Sequence, residues 1–124
     1  MLALVLDDSR AMRMILTRIM RDCGFDVVEA GDGQEGLEKV LAGPTPDVAL
    51  VDWNMPVMNG LEFITAVRKQ QELRRMTLMM VTTESEHAQI VRALAAGAHE
   101  YVIKPFTAEA IQEKLSILGL AQAS

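Results

Sequence analysis

Apolar residues recur along this chain in two alternating rhythms. LALVL (2–6), DVVEA (26–30), VALV (48–51), TLMMV (77–81) and EYVI (100–103) are short apolar-dominated runs bounded by polar or turn-forming residues. Runs of that length and make-up read as strands covered on both faces. Between them the apolar positions return every three or four residues, the spacing of an amphipathic helix. Met12, Ile15, Leu16, Ile19 and Cys23 follow the first run, and Leu37, Val40 and Leu41 the second. Leu61, Ile64 and Val67 follow the third, with Ala88, Val91, Leu94 and Ala95 after the fourth and Ala108, Ile111, Leu115 and Leu118 after the fifth.

The punctuation agrees with this division. The first helix is expected from about Ser9, with Arg10, Arg13, Arg18 and Arg21 on its other faces and Gly24 just past its end, where a left-handed residue belongs. Asp32 and Glu35 have capping-box spacing, with aspartate in place of the usual Ser or Thr. Gly43-Pro44 stops the second helix, Asn59 with Glu62 opens the third, Gly97 ends the fourth and Thr107 caps the fifth.

Strands alternating with helices specify an α/β fold, a doubly wound five-stranded parallel sheet with helices on both faces. Right-handed crossovers leave only a few strand orders. In such sheets ligands bind beyond the carboxyl ends of the strands, where the strand order reverses. With 124 residues the chain fits one domain, expected to span 1–124 without an output module.

Composition narrows the function classes. A formal charge of −5 argues against a nucleic-acid partner, which needs a basic face. No apolar run approaches the roughly 20 residues needed to span a bilayer, and MLALVLDD turns acidic too soon for a signal peptide. Cys23 is the only cysteine, so an intramolecular disulfide is impossible and a reducing cytoplasmic setting is expected.

Reading only the carboxyl ends of the five strands gives a candidate site. Asp7 and Asp8 follow the first, Ala30-Gly31 the second, Asp52 the third, Thr82-Thr83 the fourth and Lys104-Pro105 the fifth. Glu38, Glu62, Glu72 and Glu113 instead fall on helix faces and are expected in solvent. Three clustered carboxylates repel one another, which raises at least one pKa unless a cation intervenes. Mg²⁺, with its preference for carboxylate, water and phosphate oxygens, removes the conflict. Lys104 and Thr82 suit the anion that such a metal holds. Asp52, between the acid pair and the lysine, is then the acid left to act as nucleophile toward phosphorus, with Asp7 and Asp8 for the metal.

The segments LDDS, VDWNMPVMNGLEF, VTTE, AAGAHEYVIKPF and EKL together resemble bacterial response-regulator receiver domains, and among them the CheY-type receivers of chemotaxis. The resemblance spans essentially the whole chain. It implies a flavodoxin-like, CheY-like sheet of order 2-1-3-4-5 with five helices. It implies a single-domain response regulator of a two-component phosphorelay, in which Asp52 accepts a phosphoryl group from a histidine kinase. Mg²⁺ would be bound by Asp8, Asp52 and the Asn54 carbonyl, and by Asp7 through water. Lys104 would pair with a phosphoryl oxygen, Thr82 would shift to bond another, and Tyr101 would turn into the space that Thr82 vacates. The Lys104-Pro105 bond would be cis. Such a protein is a signalling switch that catalyses its own phosphotransfer and autodephosphorylation rather than an enzyme in the usual sense. It works as a monomer with no membrane or nucleic-acid contact.

The downstream effector is less constrained, with the flagellar motor switch and a histidine phosphotransfer protein as the two implied classes. CheY-type receivers tend to carry lysines at the start of the fourth helix, where this chain has Glu84, Ser85, Glu86 and His87. Asp26, Arg74 and Arg75 match no family role, and His87 and His99 are expected as surface residues. Gly31-Asp32-Gly33-Gln34-Glu35-Gly36 is a literal G-x-G-x-x-G, the fingerprint of dinucleotide sites. That reading leaves Asp7, Asp8, Thr82 and Lys104 unexplained. A haloacid-dehalogenase-type phosphatase would need an acid at position 54, and flavodoxin would need a Ser/Thr-rich loop where LDDSRAM stands.

Overall fold

The computed structural model describes residues 1–120. The elements run β1 (Leu2–Leu6), α1 (Arg10–Asp22), β2 (Asp26–Ala30), α2 (Gly33–Ala42), β3 (Val48–Val51), α3 (Gly60–Lys69), β4 (Thr77–Thr82), α4 (His87–Ala96), β5 (Glu100–Ile103) and α5 (Ala108–Ile117). A short 3-10 turn, Gln71–Leu73, which the apolar rhythm did not signal, joins α3 to β4. The sheet is wholly parallel in the order β2-β1-β3-β4-β5. The order reverses between β1 and β3, so the acids at their carboxyl ends stand side by side, with Leu6 opposite Val51 in the ladder.

Successive strand residues face opposite sides of a sheet, and two cores result. Leu4, Leu6, Ala49, Val51, Leu78 and Met80 meet Phe63, Ile64 and Val67 of α3 on one face. Ala3, Val5, Val48, Leu50, Met79 and Val81 meet Leu16 and Met20 of α1 and Ile111 and Leu115 of α5 on the other. Every residue of β3 is fully buried. Its backbone is therefore enclosed on both faces, and the residue that follows it is held accordingly.

The helix faces depart from the apolar pattern in two places. On α1 the packed stripe is Leu16, Thr17 and Met20, while Ile15 lies outside it at 49% exposure. Ile15 sits about 100° around the helix from Leu16, at the edge of what one sheet face can cover. On α4 the packed residue is Ala93, flanked by the half-buried Gln89 and Ala96, and Ala88, Val91, Leu94 and Ala95 all face outward. The packed stripe is small, and Val91 and Leu94 are left 48% and 44% exposed.

The caps divide similarly. Asn59 and Glu62 form a complete capping box on α3. On α2 only half of it forms: Asp32 accepts from the Glu35 amide at 2.8 Å, while the Glu35 carboxylate takes the amide of Gly31 at 2.6 Å. Two glycines of the G-x-G-x-x-G run, Gly33 and Gly36, serve packing. A Cβ on Gly33 would stand 2.6 Å from the Met58 carbonyl, and one on Gly36 would overlap Leu6.

Arg68 and His99 form a tie that no local signal announced. The Arg68 guanidinium donates to the carbonyls of Gly97 (2.8 Å), Met76 (3.2 Å) and Arg74 (3.3 Å), joining α3 to the loops before β4 and β5. His99 is exposed as a residue, as expected, but its Nδ1 accepts from the Leu78 amide at 3.1 Å and lies 3.3 Å from Arg68 Nη2. An acceptor Nδ1 requires a neutral ring, and burial, then the Arg68 charge, lowers its pKa below the ordinary histidine value. A lowered histidine pKa supports the fold above the unfolded value of about 6.5, and that support drains as pH falls. His99→Ala is expected to lower stability by about 1 kcal/mol at pH 8, one hydrogen bond's worth. Denaturant titrations should show the gap closing as the pH is lowered to about 5.

Candidate phosphoryl-acceptor site

The fold brings together the acids named from the strand ends. Asp7, Asp8 and Asp52 each place a carboxylate oxygen within 4.8 Å of the others, with Asp7 and Asp52 buried and Asp8 exposed. Asp7 is the more enclosed of the buried pair, at 1% exposure against 7%. Its Oδ1 accepts from the Ser9 amide at 2.8 Å, and its Oδ2 from Lys104 Nζ at 2.7 Å. Lys104 Nζ also lies 3.5 Å from Asp52 Oδ2, so one ammonium faces two buried carboxylates. The Asp52 amide donates to the Leu6 carbonyl at 2.9 Å, fixing the end of β3 to the end of β1.

This arrangement is charge-frustrated. Burial pushes the Asp52 carboxyl above its ordinary pKa; the Thr82 hydroxyl and the Lys104 ammonium oppose the shift and Asp7 adds to it. The acidic oxygens outnumber the one ammonium, and they are hard donors, which is the chemistry a divalent cation such as Mg²⁺ selects. The residues therefore fit the ion that the resemblance implies.

Thr82, fully buried at the end of β4, accepts from the Glu84 amide at 3.3 Å. Tyr101, half-buried on β5, donates its hydroxyl to the Glu84 carbonyl at 2.7 Å. One residue, Glu84, is thus held at its amide by Thr82 and at its carbonyl by Tyr101. Burial, Glu84 and Asp52 raise the Tyr101 phenol pKa, so the hydroxyl keeps its proton as donor. Asn54 is exposed on the loop after β3, and Lys104-Pro105 is cis. Glu38, Glu62, Glu72 and Glu113 are all exposed.

A family model described as the response regulator receiver domain matches residues 3–116. The chain belongs to the response-regulator receiver family. It is 40% identical over 116 residues to the chemotaxis protein CheY1 of Helicobacter pylori, covering 93% of this chain and 94% of that one. It is 41% identical over 113 residues to the chemotaxis protein CheY of Pseudomonas aeruginosa, covering 90% of each. The solved structure of Vibrio cholerae CheY4 superposes with a TM-score of 0.87 at 35% identity, over 94% of this chain and 96% of that one. This receiver is therefore a CheY-like module of two-component, chemotaxis-type signalling, a switch with an acidic pocket. Among its described residues no helix is long and apolar enough to cross a membrane.

Three features of this receiver's rim were not singled out in the sequence. Arg13 Nη1 donates to the Asp7 carbonyl at 2.7 Å, bracing the acid from α1. Arg92 of α4 sits over the Trp53 ring, 6.0 Å from its centroid, and so touches the residue next to Asp52. The third is Val57, at φ 67 with 80% exposure. A β-branched residue at positive φ is strained by roughly 1–3 kcal/mol. Val57→Asn, which tolerates that conformation, is expected to raise stability by about 1 kcal/mol in urea denaturation.

Proposed function

We propose that this receiver is phosphorylated on Asp52 in a Mg²⁺-dependent reaction and that the added charge switches a protein-binding face. The observation that carries the reading is Asp52 itself: a buried carboxylate at the end of the most buried strand, flanked by two acids, an ammonium and a hydroxyl. Asp7, Asp8 and Asp52 would hold Mg²⁺, with the Asn54 carbonyl as a further oxygen by resemblance. Bound there, the ion would neutralise carboxylate charge and accept phosphoryl oxygens. The donor would be the phosphohistidine of a histidine kinase. Its P–N bond breaks as an Asp52 oxygen forms the new P–O bond, and the released imidazole takes up a proton. Lys104, already between Asp7 and Asp52, pairs with an oxygen of the transferred group. Hydrolysis of the acyl phosphate at the same site would reset the switch.

The route outward runs through Glu84. When Thr82 turns its hydroxyl to the phosphoryl group, it releases the Glu84 amide, and Tyr101, bound to the Glu84 carbonyl, must adjust with it. Val91 and Leu94 of α4 and Ile103, on the same strand as Tyr101, are exposed apolar side chains that would suit an effector of the flagellar-switch kind.

Incubation with acetyl phosphate and Mg²⁺ should add the mass of one phosphoryl group and change the fluorescence of Trp53, the only tryptophan. EDTA should abolish both. A protein that gains no mass under these conditions is not the receiver described.

A further inference from the structure

Asp7 and Asp8 are neighbours in different settings: Asp7 is buried against Lys104, and Asp8 is exposed. The peptide they share sets how the two diverge. Its carbonyl, that of Asp7, lies just past the end of β1 and accepts from Arg13 Nη1 of α1 at 2.7 Å. The same guanidinium places its Nε 3.4 Å from Glu29 Oε1, so it ties α1 to both β1 and β2. The rest of this corner is held as well. The Asp7 amide donates to the Ala30 carbonyl at 3.2 Å, and the Ser9 amide to Asp7 Oδ1 at 2.8 Å. Lys39 Nζ donates to the Glu29 carbonyl at 2.6 Å, steadying the strand that Arg13 grips. Asp8 is exposed, so its aim depends on the backbone that carries it, and Arg13 holds that backbone.

Electrostatics alone would not put a cation here. The Arg13 side chain, 20% exposed, bonds the main chain of one of the acids that fit a divalent ion. A fixed positive charge so placed repels such an ion. By charge, then, Arg13 weakens the site, and what it supplies is geometry. We propose that Arg13 is a positioning residue for the divalent ion: it fixes the Asp7–Asp8 peptide, so that the Asp8 carboxylate stands where it can share an ion with Asp7 and Asp52. The inference rests on the reading of the acids as a Mg²⁺ site and names a residue outside that set on which the affinity depends. A guanidinium suits the task because it offers a carbonyl and a carboxylate separate N–H groups in fixed directions, which an ammonium cannot do. Side chains that orient a ligand without touching the metal typically carry about 10–100-fold in affinity.

The test titrates Mg²⁺ into the full chain without any phosphoryl donor, followed by Trp53 fluorescence, beside urea denaturation with and without the ion. Arg13→Met removes charge and grip together, and Arg13→Lys keeps the charge but loses the two-pronged grip. Arg10→Met removes the same charge from an exposed arginine of the same helix. Positioning and charge predict opposite signs. Arg13→Met should weaken Mg²⁺ binding about tenfold and Arg13→Lys about threefold. Arg10→Met should stay within about twofold, because salt screens an exposed charge. A dissociation constant for Arg13→Met equal to or tighter than that of wild type overturns the proposal, whatever the loss of stability in EDTA, since Arg13 is then a structural tie or a competing charge. A tenfold weakening in Arg10→Met overturns it too. If Arg13→Met does not fold, Arg13→Lys decides, and wild-type affinity in that variant overturns the proposal. A wild type whose fluorescence and stability both ignore Mg²⁺ overturns instead the reading of the acids as a divalent site.

Discussion

Asp52→Asn is expected to abolish acyl-phosphate formation and, at neutral pH, to make the protein more stable. The two effects share a cause. Burial and Asp7 raise the Asp52 carboxyl pKa over the opposing Thr82 hydroxyl and Lys104 ammonium, so the folded protein resists the charge that makes the residue a nucleophile. A carboxyl raised on folding favours the folded state when protonated. Its penalty begins as pH climbs past the unfolded value of about 4 and is complete above the raised value. The neutral amide escapes it. The variant should therefore gain about 1–2 kcal/mol at pH 7, the scale of a relieved functional site. It should match wild type below about pH 4. Urea titrations at both pH values in EDTA, beside intact-mass measurement after acetyl phosphate, test the pair. A variant less stable than wild type at pH 7 would show that Lys104 and Thr82 outweigh burial, and that the acceptor is a structural ion-pair partner.

Much of this site was legible because strand ends are legible. The change from a continuous apolar run to Asp7-Asp8, Asp52, Thr82 or Lys104 marks both where a parallel strand stops and which residue faces the crevice. Lys104 and Asp7 are 97 positions apart, yet one topological rule places them together. The rule does not say which acid of the pair is buried. Asp7 and Asp8 are equivalent in pattern, and only the geometry turns Asp7 inward and leaves Asp8 in solvent.

The misread features are those in which two faces of an element carry comparable signals, or in which the contact is wholly tertiary. On α4 the larger residues Val91 and Leu94 outshine the packed Ala93, so hydrophobicity points to the wrong side. Arg68 and His99 meet 31 residues apart, through backbone carbonyls and an amide that no side-chain pattern encodes. Val57 breaks the local rule for its conformation. Such a breach is invisible until φ is known and is then the most informative feature of the loop.

The second large effect is expected at Lys104. Its ammonium, on a side chain 12% exposed, lies 2.7 Å from Asp7 and 3.5 Å from Asp52. Lys104→Met keeps the length of the stem and removes the charge. Asp7, 1% exposed, then keeps only the Ser9 amide against its negative charge. Breaking a buried pair from one side costs about 3–5 kcal/mol. Asp8 opens this rim to solvent, so the lower end, about 3 kcal/mol in EDTA, is expected. A divalent cation among the same three carboxylates would replace the lost charge. A ligand at a hundred times its dissociation constant stabilises by about 2.7 kcal/mol. The Mg²⁺-dependent rise in stability should accordingly be larger in the variant than in wild type, and its apparent affinity for Mg²⁺ higher, since the ion no longer competes with an ammonium. Denaturation with and without Mg²⁺ measures both. If Lys104→Met is as destabilised in saturating Mg²⁺ as in EDTA, Asp7, Asp8 and Asp52 do not form a divalent site, and the acids are held for Lys104 alone.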